Sequence, residues 1–239
     1  MLKTMQLILL PFAGGSSYSY YTLTKYLPGH FDVIAIDTPG HGRRINEALL
    51  YDCNTIAGEV IREIEKNINP DLPYALFGHS MGALLGHILL RKAQAGLLPL
   101  PVHFFASGRQ APSCPASIGP VWELPPKAFR ERLKEFDYTP EGILNSDAIM
   151  NFFEPILRAD FRAVEQYRYT PADPVHVPIT VLAGRDDNMD QAGGGQWQQE
   201  TTFPLNIYWF EGKHFFIFEH SREVCNIIAD TLRPAEHQP

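Results

Sequence analysis

The chain has 239 residues, of which 45% are apolar and 20% charged, so it can bury one sizeable core and is not disordered by composition. A net charge of -7 argues against general affinity for nucleic acid or for an anionic membrane surface. The three cysteines, Cys53, Cys114 and Cys225, are widely spaced and contain no Cys-x-x-Cys, which argues against a disulfide framework and a zinc knuckle.

In chain order, residues 7–10 read as a first strand, too short for the core of a signal peptide. A helix is predicted over 17–27 and a second strand over 31–36. Residues 55–68 follow as a helix, with Ile56, Val60, Ile61, Ile64 and Ile68 at helical spacing. The third strand is 74–77. It runs directly into 80–95, a helix apolar nearly all round and therefore central and buried. Strands at 103–106, 179–183 and 205–210 come next, and a helix over 219–232 closes the chain. The strand runs are continuously apolar rather than alternating, as in a parallel sheet covered on both faces. No apolar stretch reaches the roughly 20 residues of a membrane span. A cytoplasmic monomer is expected.

One segment breaks the strand–helix rhythm. Residues about 111–176 open with loop chemistry, Ala-Pro-Ser-Cys-Pro-Ala-Ser, and then carry helical patterns over 126–136 and 147–167. The chain is therefore expected to be a single domain over 1–239, with a helical lid inserted over the C-terminal edge of the sheet.

The chemistry concentrates at Gly78-His79-Ser80-Met81-Gly82, a G-x-S-x-G elbow between an apolar strand and a buried helix. That context predicts an α/β-hydrolase fold with Ser80 as nucleophile on a sharp turn. The base should then lie in the loop after the last strand, and the acid after a late strand. Of nine histidines, His214 stands in that loop; His220, six residues on, falls within the last helix, and His237 lies in the tail. Two adjacent aspartates follow the strand at 179–183. Asp187 is favoured by its spacing from Gly184, Asp186 stays open as the alternative, and Asp190 is a weaker one. Two backbone amides should form the oxyanion hole. One is that of Met81, next after the nucleophile. The other is assigned to Ala13, in the glycine-containing loop Pro11-Phe12-Ala13-Gly14-Gly15-Ser16. No metal or bound cofactor is needed for this chemistry.

Several segments in this order resemble the type II thioesterases, the stand-alone editing enzymes of nonribosomal peptide and polyketide assembly lines. They are LPFAGGS at 10–16, IDTPGHGRR at 36–44, PYALFGHSMGALLG at 73–86, LAGRDD at 182–187, Trp197, and GKHFF at 212–216. The resemblance implies an acyl or aminoacyl thioester on the phosphopantetheine arm of a carrier protein as substrate. The lid would form the acyl pocket. It further implies local docking of the carrier, for which Arg43, Arg44 and the cations of the insertion, among them Arg158 and Arg162, are candidates. Two positions depart from the family's pattern: His41 stands where arginine is common, and Lys213 where glycine often precedes the histidine. An esterase on small free esters shares every triad residue. A non-catalytic binding protein on the same scaffold is the rival of another class.

Overall fold

The computed structural model describes residues 2–114, 120–135, 146–187 and 191–233. Six strands form one sheet: β1 (Met5–Leu10), β2 (Phe31–Ala35), β3 (Tyr74–His79), β4 (His103–Ser107), β5 (Ile179–Gly184) and β6 (Asn206–Phe210), in the order β2-β1-β3-β4-β5-β6. All five pairings are parallel. The longer helices among the described residues are α1 (Cys53–Asn67), α2 (Met81–Gln94), α3 (Pro126–Glu135), α4 (Asp147–Gln166) and α5 (Ser221–Thr231). The side chain of Asp52 starts α1, accepting a hydrogen bond from the Thr55 amide at 2.8 Å.

The sheet is covered on both faces. One core joins Ile8, Leu76 and Phe104 to α1 and α2 through Ile56, Val60, Leu85 and Leu89. The other joins Leu7, Leu9, Phe77 and Phe105 to Tyr20, Phe216, Val224 and Ile228. β1, β3, β4 and β5 are buried almost throughout, as their continuous apolar runs require. α2 buries nearly every side chain because it crosses the middle of the sheet. At Gly86 an added Cβ would stand 2.3 Å from the Phe104 ring, so glycine is what brings α2 down onto β4.

Two elements differ from expectation. The helix over 17–27 is a 3-10 turn, Ser17–Tyr20, followed by one α-turn, Tyr21–Thr24. Ser16 and Ser19 close a capping box there, and the Tyr20 hydroxyl donates to the Leu10 carbonyl at 2.8 Å, which holds this segment to the sheet rather than letting it extend. β6 alternates exposed and half-buried positions, because it is the edge strand and only one of its faces meets the core.

Between β4 and β5 the described elements are helical, chiefly α3 and α4. They share a satellite cluster of Val121, Phe129, Leu133 and Met150. The remaining parts of the insertion, 115–119 and 136–145, lie outside the described residues, as do Asp190 and His237.

Trp197, fully buried in the segment between β5 and β6, packs against β4 where the insertion leaves the sheet. Its indole meets Phe104 edge-on at 5.8 Å and donates to the Arg109 carbonyl at 2.9 Å. Trp197→Ala is expected to cost about 3–5 kcal/mol, by the cavity and the lost transfer energy together. Urea denaturation with an unchanged m-value checks this; a midpoint unmoved from the parent's would mean the site collapses around the void.

Candidate active site

The sheet reverses its winding direction between β1 and β3, since β2 lies on one side of β1 and all later strands on the other. In open parallel sheets the crevice beyond the strand ends at such a switch point is where ligands bind. Leu10 of β1 pairs in register with Gly78 of β3. The loop after β1, with Ala13, and the turn after β3, with Ser80, therefore leave the sheet side by side.

Ser80 has φ 55 and ψ -111, the one positive φ at a non-glycine among the described residues. A serine there is strained, and the surroundings must hold it. They do so by close approach. A Cβ on Gly78 would stand 2.1 Å from the Gly82 carbonyl oxygen, and one on Gly82 would stand 2.4 Å from that of Leu10. Both glycines of the elbow are thus required by space. The Ser80 amide donates to the Ser107 carbonyl at 2.8 Å, which ties the turn to the end of β4. Ser80 caps α2, so the helix N-terminus and the Met81 amide stand next to its hydroxyl.

The ends of β5 and β6 clasp each other. The Arg185 amide donates to the Phe210 carbonyl at 2.8 Å and that of Asp186 to the Gly212 carbonyl at 3.0 Å. This brings Asp187 to His214: Oδ2 of the carboxylate lies 2.9 Å from imidazole Nδ1, with the two side chains 5% and 12% exposed. Asp186 points outward and is exposed. His220 is occupied elsewhere, its Nε2 on the Glu211 carbonyl at 2.9 Å.

The pair stands beside the elbow. The ring of His79, the residue before Ser80, lies 4.9 Å from the ring of His214, with Phe215 at 5.2 Å. His79 is fully buried, and its Nδ1 meets the Ser107 hydroxyl at 2.9 Å. Burial, reinforced by the charge of His214, pushes its pKa well below the usual 6.5. It is a neutral wall, not a base. Gly108, with φ +60, leaves room for it: a Cβ there would meet the His79 ring at 2.4 Å. His103 is likewise unsuited, held at about 4 by burial. Burial pushes the Cys53 and Cys225 thiols up to about 12, so neither rivals Ser80 as a nucleophile.

The loop after β1 wraps the other side of the elbow. Phe12 meets Tyr20, His79, Phe215 and Phe218 edge-on at 5.1–6.1 Å. The Gly15 amide donates to the Phe12 carbonyl at 2.8 Å, closing a turn around Ala13. Gly14 takes φ +72. Its amide donates to Asp160 Oδ2 at 2.7 Å, and the same oxygen accepts from His41 Nε2 at 2.9 Å.

Sequence reading did not single out Asp160. The available signal was a lone acid on the buried face of α4, among Ile156, Ala159 and Ala163. Among the described residues no three His, Cys, Asp or Glu side chains converge to hold a metal ion.

Of the candidate docking cations, Arg43 pairs with Asp37 at 2.8 Å and Arg44 with Glu47 and Glu59. Arg158 pairs with Glu154, donates to the Trp122 carbonyl at 2.7 Å and lies 4.2 Å above the Phe129 ring. Arg162 lies 5.1 Å from the Trp122 ring and 5.2 Å from that of Tyr51.

A family model described as a thioesterase domain matches residues 5–232. The gramicidin S biosynthesis protein GrsT of Aneurinibacillus migulanus is 33% identical over 230 residues, which span 96% of this chain and 89% of that protein. Among solved structures, the type II thioesterase BorB from the borrelidin biosynthetic cluster is 34% identical. It superposes with a TM-score of 0.86 over 96% of this chain and 93% of its own. ClbQ from the colibactin NRPS/PKS pathway is 26% identical and superposes with a TM-score of 0.90, over 96% of this chain and 97% of its own.

Proposed function

The chain belongs to the thioesterase family, and from that premise we propose how its residues divide the hydrolysis of a thioester between them. The fold is that of the α/β-hydrolases, and the activity is thioester hydrolysis in the editing of nonribosomal peptide or polyketide assembly lines. The observation that carries our assignment is the strained Ser80 on its helix N-terminus, beside a hydrogen-bonded His214–Asp187 pair.

In this reading His214 Nε2 takes the Ser80 proton as the hydroxyl oxygen attacks the thioester carbonyl. The Met81 and Ala13 amides hold the oxyanion. Collapse of the tetrahedral intermediate breaks the carbon–sulfur bond, and His214 returns the proton to the departing thiol. Water, deprotonated by His214, then attacks the acyl-Ser80 ester, and the acid leaves as the proton passes back to Ser80. Asp187 keeps the Nδ1 proton in place throughout, so that Nε2 can accept. No step calls for a metal or a bound cofactor.

The substrate we assign is an acyl or aminoacyl group on the phosphopantetheine thiol of a carrier protein, in the cytoplasm. We read the helical segment between β4 and β5 as a lid over the crevice. What supports this is α4, whose Asp160 reaches the loop after β1. Carrier docking would have to draw on cations outside the Arg158 cluster, because reversing Arg158 disturbs α3 and α4 themselves.

The test is acid release from acyl groups loaded on a carrier protein, beside matched free thioesters and oxygen esters. Carrier-bound thioesters are expected to be the better substrates. Equal or faster hydrolysis of free oxygen esters would keep Ser80 in its role and replace the substrate with small esters.

A further inference from the structure

We propose that Asp160 and His41 are positioning residues of the oxyanion hole, through which the seating of α4 sets the place of the Ala13 amide. This rests on the reading of Ala13 given above and extends it to two residues that touch neither substrate nor nucleophile.

The loop Pro11-Phe12-Ala13-Gly14-Gly15 lacks the regular backbone hydrogen bonds of a strand or helix. Its one internal bond is that from the Gly15 amide to the Phe12 carbonyl. Its outer anchor is the bond from the Gly14 amide to Asp160 Oδ2 at 2.7 Å, one peptide beyond Ala13. A charged acceptor makes this a strong bond. The approach is also tight: a Cβ on Gly14 would stand 2.5 Å from Leu157 Cδ2, one turn before Asp160 on α4. The loop therefore lies flush against α4, and a shift of that helix must move it.

His41 completes the arrangement. Asp160 is buried, and a lone carboxylate there would be costly. His41 Nε2 donates to Oδ2 at 2.9 Å, while its Nδ1 lies 3.0 Å from both the Thr38 hydroxyl and the Pro39 carbonyl. Burial opposes a charge on His41. The hydrogen bond and charge of Asp160, with the charge of Asp37, outweigh it and raise its pKa above the usual 6.5. His41 thus gives the buried carboxylate a hydrogen-bonded partner. The glycine-rich segment 40–42 brings it in: Gly40 and Gly42 both have positive φ, and a Cβ on Gly42 would strike Asp37.

The consequence is a link between the helical segment and the chemistry. With α4 seated, the donor loop is held in place. With α4 displaced, Gly14 loses its acceptor and the Ala13 amide loses its aim. A contact of this kind acts on the transition state and not on ground-state binding.

The experiment compares the parent with Asp160→Ala and Asp160→Asn on an acyl-loaded carrier protein. It also measures inhibition by a trifluoromethyl ketone whose hydrate-forming carbonyl adds Ser80 and places an oxyanion in the hole. In Asp160→Ala, kcat is expected to fall at least about tenfold, toward the roughly 10²–10³ that loss of an oxyanion donor costs, with KM changed little. Ketone affinity should fall in parallel. Asp160→Asn keeps an acceptor oxygen for the Gly14 amide and should recover part of both losses. A folded Asp160→Ala with parental kcat and ketone affinity overturns the proposal. If that variant does not fold, Asp160→Asn decides: kcat and ketone affinity equal to the parent's overturn it, and a joint fall at constant KM supports it. Ser80→Ala, run alongside, separates the two readings. If it is inactive while Asp160 variants match the parent, the assignment of Ser80 stands and this inference fails; if it is active, both fall.

Discussion

Ser80→Ala is expected to lower kcat on carrier-bound thioesters by about 10⁴–10⁶, the range seen when a serine nucleophile is deleted and only binding and the oxyanion hole remain. The substitution removes one oxygen. It keeps the Cβ, so the strain of a side chain at φ 55 is the same in both proteins. The bonds that hold the turn are backbone bonds, chiefly the Ser80 amide to the Ser107 carbonyl, and survive as well. The thermal midpoint should therefore stay near the parent's while turnover disappears. A fluorophosphonate probe should label the parent and not the variant. Activity above a few percent of the parent's would remove Ser80 from the nucleophile's role; a parent that neither labels nor turns over would favour a binding protein on the same scaffold.

The second large effect separates two neighbouring aspartates. Asp187→Asn is expected to lower kcat by about 10⁴, because the amide donates to His214 Nδ1 and so forces the proton onto Nε2, where the Ser80 proton must go. Asp186→Asn should leave kcat close to the parent's, since that side chain points outward. The 2.9 Å contact between Asp187 and His214 predicts this order. If Asp186→Asn carries the loss and Asp187→Asn does not, the acid must be reassigned to Asp186.

The link from α4 to the loop after β1 bears on how such an enzyme would choose its moment. If α4 acts as the proposed lid, a helix that also positions the proposed oxyanion donor would make closure a condition of catalysis, as when closing segments complete a catalytic constellation. The residues involved come from three distant stretches: Gly14, His41 and Asp160. Asp160 is the shared partner: the Gly14 amide and His41 Nε2 both meet its Oδ2.

How much of this was legible in the sequence follows from the range of the forces concerned. The strands and α1 to α5 could be read because apolar periodicity is a local property, and the elbow because its glycines, serine and helix lie within a few residues of one another. The expected order of nucleophile, acid and base rests on the motif and on the chain order usual in its fold. The 17–27 helix is shorter than expected and begins as a 3-10 turn, where the Tyr20 hydroxyl is tied to the Leu10 carbonyl at the end of β1. β6 was read as a strand but with both faces covered, because an apolar run does not say whether a strand lies at an edge.

By itself, then, the sequence determined the element order, the turn at Ser80 and the loop that carries His214, since each rests on patterns of a dozen residues or fewer. Only the tertiary structure decided which aspartate faces His214, that His79 is a neutral wall beside it, and that Asp160 meets the Gly14 amide across 146 positions of chain. Those contacts exist because a parallel sheet gathers the ends of β1, β3, β4, β5 and β6 at one edge, where α4 reaches the loop after β1. Hydrogen bonds between groups so far apart in sequence leave no periodic trace along the chain, and burial of their partners is a property of the assembled fold.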